Sequence, residues 1–223
     1  MKHISYPSLN THEILSKGAN SLGLELSEQA IADFVCYMEE IKRWNNKVNL
    51  TSLVKDHEII VKHFLDSIAL APHLSPGSSI LDIGSGAGIP GIPLKIVRKD
   101  INITLLDSSR KKVHFLKHIA RTLKLSGVSI IEGNTSEIIR SHTEMTGQYN
   151  VVISRAIGSL KDFVKYGRPF AQAPGWLVAY KGPAGEKELS DLLPWLTETG
   201  LEPLKLIKYR LPYIDAERVL III

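Results

Sequence analysis

From residue 80 to the end of the chain, short apolar runs alternate with amphipathic stretches, and this alternation restricts the fold more than any other feature. The runs at 80–83, 101–106, 128–131, 151–153 and 175–180 are rich in Ile, Val and Leu and too short for buried helices, so they read as strands. Helical patterns at 91–98, 109–125, 134–141, 158–171 and 185–198 separate them. Strands joined through helices cannot pair as hairpins. They pair in parallel and leave helices on both faces, as in a doubly wound α/β sheet. Two more β-rich runs, 201–210 and 216–223, have no helix between them, which adds an antiparallel edge hairpin and makes seven strands.

Residues 11–73 read as helical instead. Within 27–44, Ile31, Phe34, Val35, Met38, Ile41 and Trp44 fall on one stripe, with Ser27 placed to cap the helix. A second helix at about 56–71 carries Ile59, Ile60, Phe64, Leu65 and Ile68. The Leu-Ser-Pro-Gly-Ser stretch at 74–78 is the natural boundary, giving a helical cap at 1–75 and an α/β domain at 76–223.

Composition excludes several classes. With 44% hydrophobic and 22% charged residues in 223, the chain is of ordinary globular make-up, neither disordered nor fibrous. No segment approaches the ~20 apolar residues of a membrane span. Its first residues lack the apolar core of a secretion signal, so a cytoplasmic protein with no membrane partner is expected. One cysteine, Cys36, allows no internal disulfide, and the histidines show no metal-ligand spacing, so no metal site is expected. His114 and His118 share a helix face with no acidic residue close in sequence. A net charge of +4 is too small to argue from, but its placement is uneven. Residues 1–60 hold six basic and eight acidic side chains, whereas 98–124 hold eight basic and two acidic.

The sharpest local signal follows the first strand: Leu81-Asp82-Ile83-Gly84-Ser85-Gly86-Ala87-Gly88-Ile89-Pro90-Gly91. Ligands of open α/β sheets bind at such strand ends, and glycines let a ligand approach the backbone. Gly86, Gly88 and Gly91 match the G-x-G-x-x-G of dinucleotide sites. Asp82, Gly84, Gly86 and Gly88 match the D-x-G-x-G-x-G of S-adenosylmethionine loops. Asp107, at the end of the second strand, can take ribose hydroxyls in either case. Three features favour S-adenosylmethionine: Asp82 stands at the strand end, where a carboxylate can serve the methionine ammonium, the dinucleotide match starts two residues into the loop, and the closing hairpin leaves no second nucleotide-binding half. An NAD(P)-dependent oxidoreductase remains the alternative enzyme, and a non-catalytic RNA-binding assembly factor the alternative without chemistry.

The chain resembles the ribosomal RNA small-subunit methyltransferase G family, also called glucose-inhibited division protein B. The resemblance rests on Trp-Asn-Asn-Lys-Val-Asn-Leu-Thr at 44–51, His-Phe-Leu-Asp-Ser at 63–67, the glycine loop with its Pro-Gly-Ile-Pro tail, Leu-Leu-Asp-Ser at 105–108, Ile-Ser-Arg-Ala at 153–156 and Lys181-Gly182. It implies a class I (Rossmann-like) S-adenosylmethionine-dependent methyltransferase acting on a guanine N7 of 16S rRNA, free or within the 30S subunit or an assembly intermediate; a monomer is the default expectation. It also implies that Asp82, Gly84, Gly86, Gly88, Ile89, Asp107 and Arg155 hold the cofactor, with Thr135 and Ser136 at the adenine. That last stretch, Gly133-Asn134-Thr135-Ser136-Glu137, departs from the Arg-Ala-Glu expected of the family. His63, Asp66, Arg155 and Lys181 would position the guanine or its phosphates.

The residues agree with that chemistry. Guanine N7 offers a lone pair and carries no proton, so alignment and exclusion of water suffice. Cytosine C5 methylation needs a thiolate, and Cys36 lies in an N-terminal apolar stripe. Amino methylation by the (Asp/Asn)-Pro-Pro-(Tyr/Phe) group needs that motif after the fourth strand, where this chain has Ser154-Arg155-Ala156-Ile157. On the helix at 109–125, Arg110, Lys117, Arg121 and Lys124 form a basic stripe suited to RNA phosphates, with Lys181 a further RNA contact; a solvated helix face is the plainer reading.

Overall fold

The computed structural model describes residues 9–155 and 158–223, so Ala156 of the Ile-Ser-Arg-Ala motif and Ile157 after it lie outside the described residues. Helix α1 (Thr11–Ser21) begins with a capping box in which Asn10 accepts from the Glu13 amide and Glu13 accepts from the Asn10 amide. Helix α2 (Glu28–Val48) starts at Ser27, whose hydroxyl accepts from the Ala30 amide as expected, and ends at Asn49 in the left-handed conformation. The next helix is not uniform. It begins as α3 (Asp56–Ile59), widens into a π-helical segment at Ile60–Leu65 and closes as α4 (Asp66–Ile68).

Strands β1 (Ser79–Ile83), β2 (Asn102–Asp107), β3 (Val128–Glu132), β4 (Tyr149–Ser154) and β5 (Ala171–Lys181) alternate with helices α5 (Gly91–Val97), α6 (Arg110–Thr122), α7 (Thr135–Ser141) and α8 (Leu160–Gly167). Helix α9 (Gly185–Glu198) leads to β6 (Lys205–Arg210) and β7 (Glu217–Ile222). The sheet is seven-stranded, in the order β3-β2-β1-β4-β5-β7-β6, with β7 antiparallel to both its neighbours. Strand β5 begins four residues before its apolar run because Ala171 already pairs with Tyr149. Helix α8 is shorter than the pattern at 158–171, since a 3₁₀ turn at Arg168–Phe170 ends it.

Alternating strand residues feed two cores. Ile80, Ile103, Leu105, Ile153, Val178 and Leu220 pack under α1, α2, the α3–α4 segment, α5 and α6. Leu81, Ile83, Leu106, Val152, Leu177 and Ile221 pack under α7, α8 and α9. The turn at 74–78 is where the sequence places a boundary, yet the helices before it bury their apolar faces in the same core as the sheet. Phe34, Tyr37 and Phe64, all from those helices, are fully enclosed, and the Phe34 and Phe64 ring centroids stand 5.1 Å apart.

Two expectations change. His118 does have an acidic partner: Glu40, on α2, lies 2.6 Å from its Nε2, because tertiary packing brings α2 against α6. Cys36 is half-buried rather than enclosed, and burial together with the charges of Glu40 and Asp33 holds its thiol above the ordinary range. Neither feature makes a thiolate. Among the described residues, no helix is long and apolar enough to cross a membrane, and no group of His, Cys, Asp and Glu could hold a metal ion.

Because the helices and sheet share a core, Phe64→Ala should lower the stability of the whole chain by about 3–5 kcal/mol. Urea unfolding should remain one transition when followed both by tryptophan fluorescence and by far-ultraviolet circular dichroism.

Candidate active site

The C-terminal ends of β1, β2 and β4 converge on one cleft. Its wall is Leu50, Thr51, His63, Gly84, Ser85, Gly86, Ala87, Ile89, Lys112 and Arg155. The glycine loop forms the floor and is tied down from below. Asp107 accepts the Gly86 amide on Oδ2 at 2.8 Å and the Ser109 amide on Oδ1 at 2.8 Å. Asp82 accepts the Gly91 amide on Oδ2 at 2.9 Å.

The glycines divide by task. Gly84 has φ +69° and a Cβ added there would meet nothing within 4 Å; at Gly86, φ +59°, it would meet only the Gly84 carbonyl at 3.9 Å. These two are bare backbone facing open space, a cradle for a ligand. Gly88 and Gly91 serve packing instead. An added Cβ at Gly88 would stand 2.6 Å from Ile92 and 2.9 Å from the Tyr37 hydroxyl, and at Gly91 2.4 Å from Leu105.

Asp82 does not line the cleft. It is fully buried beneath the loop, where desolvation raises its pKa to about 7 against the effect of the Gly91 amide, and its Oδ1 has no hydrogen-bond partner among the described residues. The carboxylate braces the loop, because the side chain leaves β1 toward α5 rather than toward the strand end.

His63 and Asp66, three apart on one helix, make no side-chain bond to each other among the described residues; the Asp66 amide meets the His63 carbonyl only through the backbone. The π-helical segment separates them: the Asp66 amide reaches back to the Val61 carbonyl, five residues away, and the wider turn splays the two side chains. His63 Nε2 meets the Thr51 hydroxyl at 2.7 Å, and that hydroxyl also accepts the Leu53 amide. Asn45 clamps Thr51 through both its amide and its carbonyl, each at 2.9 Å. Burial, reinforced by the positive charge of Arg155, lowers the His63 pKa to about 4. Asp66 is enclosed among Tyr209, which donates to its Oδ1 at 2.7 Å, Arg218 at 3.5 Å and Arg155 at 3.4 Å. The Arg155 contact is an ion pair without a hydrogen bond, since Nη1 is buried with no hydrogen-bond partner among the described residues.

Lys181 stands at the rim as expected, but its ammonium is spent on protein. Glu188 Oε2 lies 2.9 Å away and the Gly158 carbonyl 3.3 Å away, so it braces the chain between β4 and α8. Arg110, Lys117, Arg121 and Lys124 are exposed, yet at about 100° per residue the first three lie on the side of α6 opposite Lys112, and Lys124 follows the helix end in the left-handed conformation. The basic stripe therefore faces outward and only Lys112 reaches the cleft, where it has no hydrogen bond or ion pair among the described residues. Thr135 and Ser136 open α7 behind the Asn134 cap, whose side chain accepts the Glu137 amide, and they do not line this cleft. Thr51 and Lys112 line the site without a role having been read for them. Thr51 belongs to the 44–51 motif, a signal that could have found it; Lys112 was hidden among neighbouring basic residues.

The donor set fits S-adenosylmethionine. Gly84 and Gly86 leave room against the backbone, and the Asp107 oxygens, each taking one amide, retain lone pairs for ribose hydroxyls. With the strand order and edge hairpin, this defines a class I S-adenosylmethionine-dependent methyltransferase. The fold is similar to that of M. jannaschii TYW2 in complex with AdoMet, with TM-score 0.56 and 15% identity over 70% of this chain and 72% of that one. It is also similar to a SAM-dependent methyltransferase from Aquifex aeolicus, with TM-score 0.54 and 16% identity over 83% and 98%.

The family model described as rRNA small subunit methyltransferase G (GidB) matches residues 30–209. Ribosomal RNA small subunit methyltransferase G of Geotalea uraniireducens (strain Rf4) is 36% identical over 210 residues, 94% of each chain. The protein of that name from Clostridium botulinum (strain Loch Maree / Type A3) is 36% identical over 212 residues, 94% of this chain and 88% of its own. The chain belongs to the rRNA small subunit methyltransferase G family.

The buried His63 makes a pH prediction. Its ring stays neutral in the folded protein down to pH about 4, whereas an unfolded histidine takes a proton near 6.5. Between those values the unfolded state gains a proton that the folded state does not, so stability falls on acidification, by at most about 3 kcal/mol. Urea unfolding of wild type at pH 7 and pH 4.5 should show the loss, and His63→Gln should show less of it.

Proposed function

We propose that this protein transfers a methyl group from S-adenosylmethionine to the N7 of a guanine in 16S rRNA of the small subunit. The observation that carries the reading is a cofactor cradle beside a wall without a base. Among the described residues lining the cleft there is no carboxylate and no thiol, and the one titratable ring, His63, is neutral, with Nε2 held by Thr51 and Nδ1 buried.

Bound S-adenosylmethionine supplies an electrophilic methyl on a sulfonium. The guanine N7 lone pair forms the new N–C bond as the C–S bonding pair returns to sulfur, so no proton changes hands. This chain's work is to align and to exclude water. Gly84 and Gly86 admit the cofactor against the backbone, and Asp107, buried behind the loop at the end of β2 and outside the cleft lining, would take its ribose. Arg155, steadied by Asp66, faces the cofactor carboxylate or an RNA phosphate, and Lys112, without an ion pair among the described residues, adds a cation at the mouth. Asp66, Asp82 and Lys181 act as braces, and Ile89 closes the floor. Thr135 and Ser136 remain proposed adenine contacts from the neighbouring strand end. The stripe Arg110, Lys117, Arg121 and Lys124 meets RNA backbone on the outer face of α6, which requires the rRNA to wrap that helix. Such a wrap suits structured rRNA in a 30S subunit or an assembly intermediate, met by a monomer in the cytoplasm.

Labelled methyl from S-adenosylmethionine should be incorporated into 30S subunits or 16S rRNA from a strain lacking the modification, and chemical cleavage at 7-methylguanine should locate one site. Incorporation without such cleavage overturns N7 as the target. Cofactor binding with no incorporation into either substrate supports the assembly-factor reading, and stabilisation by NAD alone supports the oxidoreductase. Replacing the four stripe cations by glutamine should weaken RNA binding and reduce the slope of log K against log salt by about 3, while cofactor affinity stays unchanged.

A further inference from the structure

Tyr37 approaches the cleft from behind. It lies in the middle of α2, fully buried, its ring stacked on Phe64 with centroids 5.1 Å apart and 16° between planes, and Phe115 is 6.4 Å away. From there its hydroxyl donates to the Ala87 carbonyl in the glycine loop. The same hydroxyl occupies the space that a side chain at Gly88 would need.

The loop's amides explain why that contact matters. Gly84 and Ser85 donate to the Leu106 carbonyl at 2.8 and 3.1 Å, and Gly88 and Ile89 donate to the Ser85 carbonyl at 2.7 and 2.9 Å. Gly86 donates to Asp107. The Ala87 amide has no acceptor among the described residues, and Ala87 lines the cleft. A buried backbone N–H without an acceptor is rare in folded proteins, and one at a ligand cleft is a donor held for the ligand.

Ala87 also stands between two glycines, Gly86 and Gly88, both at positive φ, residues whose missing Cβ leaves the backbone unrestricted by a side chain. Left unpinned, this stretch would lose that freedom each time a ligand bound. We propose that Tyr37 is a positioning residue of the cofactor site: by holding the Ala87 carbonyl it presents the Ala87 amide to S-adenosylmethionine. The N-terminal helices are then part of the cofactor site rather than only a cover. The proposal rests on the reading that this cleft binds S-adenosylmethionine.

The test is isothermal titration of S-adenosylmethionine and of its demethylated product into the full chain as wild type, Tyr37→Phe and Phe34→Leu. Phe34 packs on Phe64 from the same helix and has no polar group to offer the loop, so its variant reports general loosening of α2. The phenylalanine variant keeps the ring stack, loses the hydroxyl and should bind both molecules about 5- to 10-fold more weakly. In steady-state assays on 30S subunits its KM for S-adenosylmethionine should rise by the same factor, with kcat and the KM for RNA changed less than twofold. Phe34→Leu should lower the melting temperature at least as much and leave cofactor affinity within twofold. Wild type that binds no S-adenosylmethionine overturns the reading of the cleft. Wild type that binds, with Tyr37→Phe unchanged or Phe34→Leu weakened as much, overturns the positioning role.

Discussion

Two carboxylates at neighbouring strand ends hold the glycine loop, and the rest of the site depends on them. Asp107 takes the Gly86 and Ser109 amides, and Asp82 takes the Gly91 amide at the start of α5. Each bond ties a flexible segment to the rigid edge of a parallel sheet. A loop of glycines alone would be too mobile to present a fixed surface, and a loop of larger residues could not expose bare backbone. The combination gives a cradle that is both open and fixed. Asp82 performs its part while wholly buried, with one oxygen lacking a hydrogen-bond partner among the described residues and its pKa raised to about 7, an electrostatic cost that the packing around it sustains.

The N-terminal helices belong to this arrangement. They fill one face of the sheet, so the core that stabilises the fold also fixes Tyr37 behind the loop and Thr51 and His63 along its wall. A π-helical stretch at Ile60–Leu65 lets one helix send His63 to Thr51 and Asp66 to the hairpin residues Tyr209 and Arg218. An unbroken α-helix would place residues three apart side by side. Arg155, between His63 and Asp66, gains a counter-charge from one and lowers the pKa of the other.

Much of this was legible in the chain. Strand and helix periods set the parallel sheet and its antiparallel edge, and the apolar stripe of α2 was readable at Ile31, Phe34, Met38 and Ile41. Tyr37, one place before Met38, belongs to the same buried face, but nothing local says that its hydroxyl will meet a carbonyl fifty residues away. Lys181 and Asp82 were correctly placed at strand ends and given the wrong surroundings. Their partners, Glu188 and Gly91, come from elements whose approach depends on packing, not on spacing. Arg110, Lys117 and Arg121 share one side of α6 while Lys124 falls past its end, and which way that side faces was decided by how α6 lies on the sheet.

By itself, the sequence determined the order of elements, the cradle glycines and the family, because periodicity and short motifs are local properties of the chain. The tertiary structure alone decided which charges are free and which are spent. Among the described residues Lys181 is paired and Lys112 is not, Asp82 and Asp107 are both buried with their oxygens turned to loop amides, and Gly84 faces space while Gly91 faces Leu105. Those outcomes turn on distances between segments far apart in the chain. Coulomb energy, desolvation and steric exclusion all change steeply over a few ångströms, a scale that residue spacing does not encode.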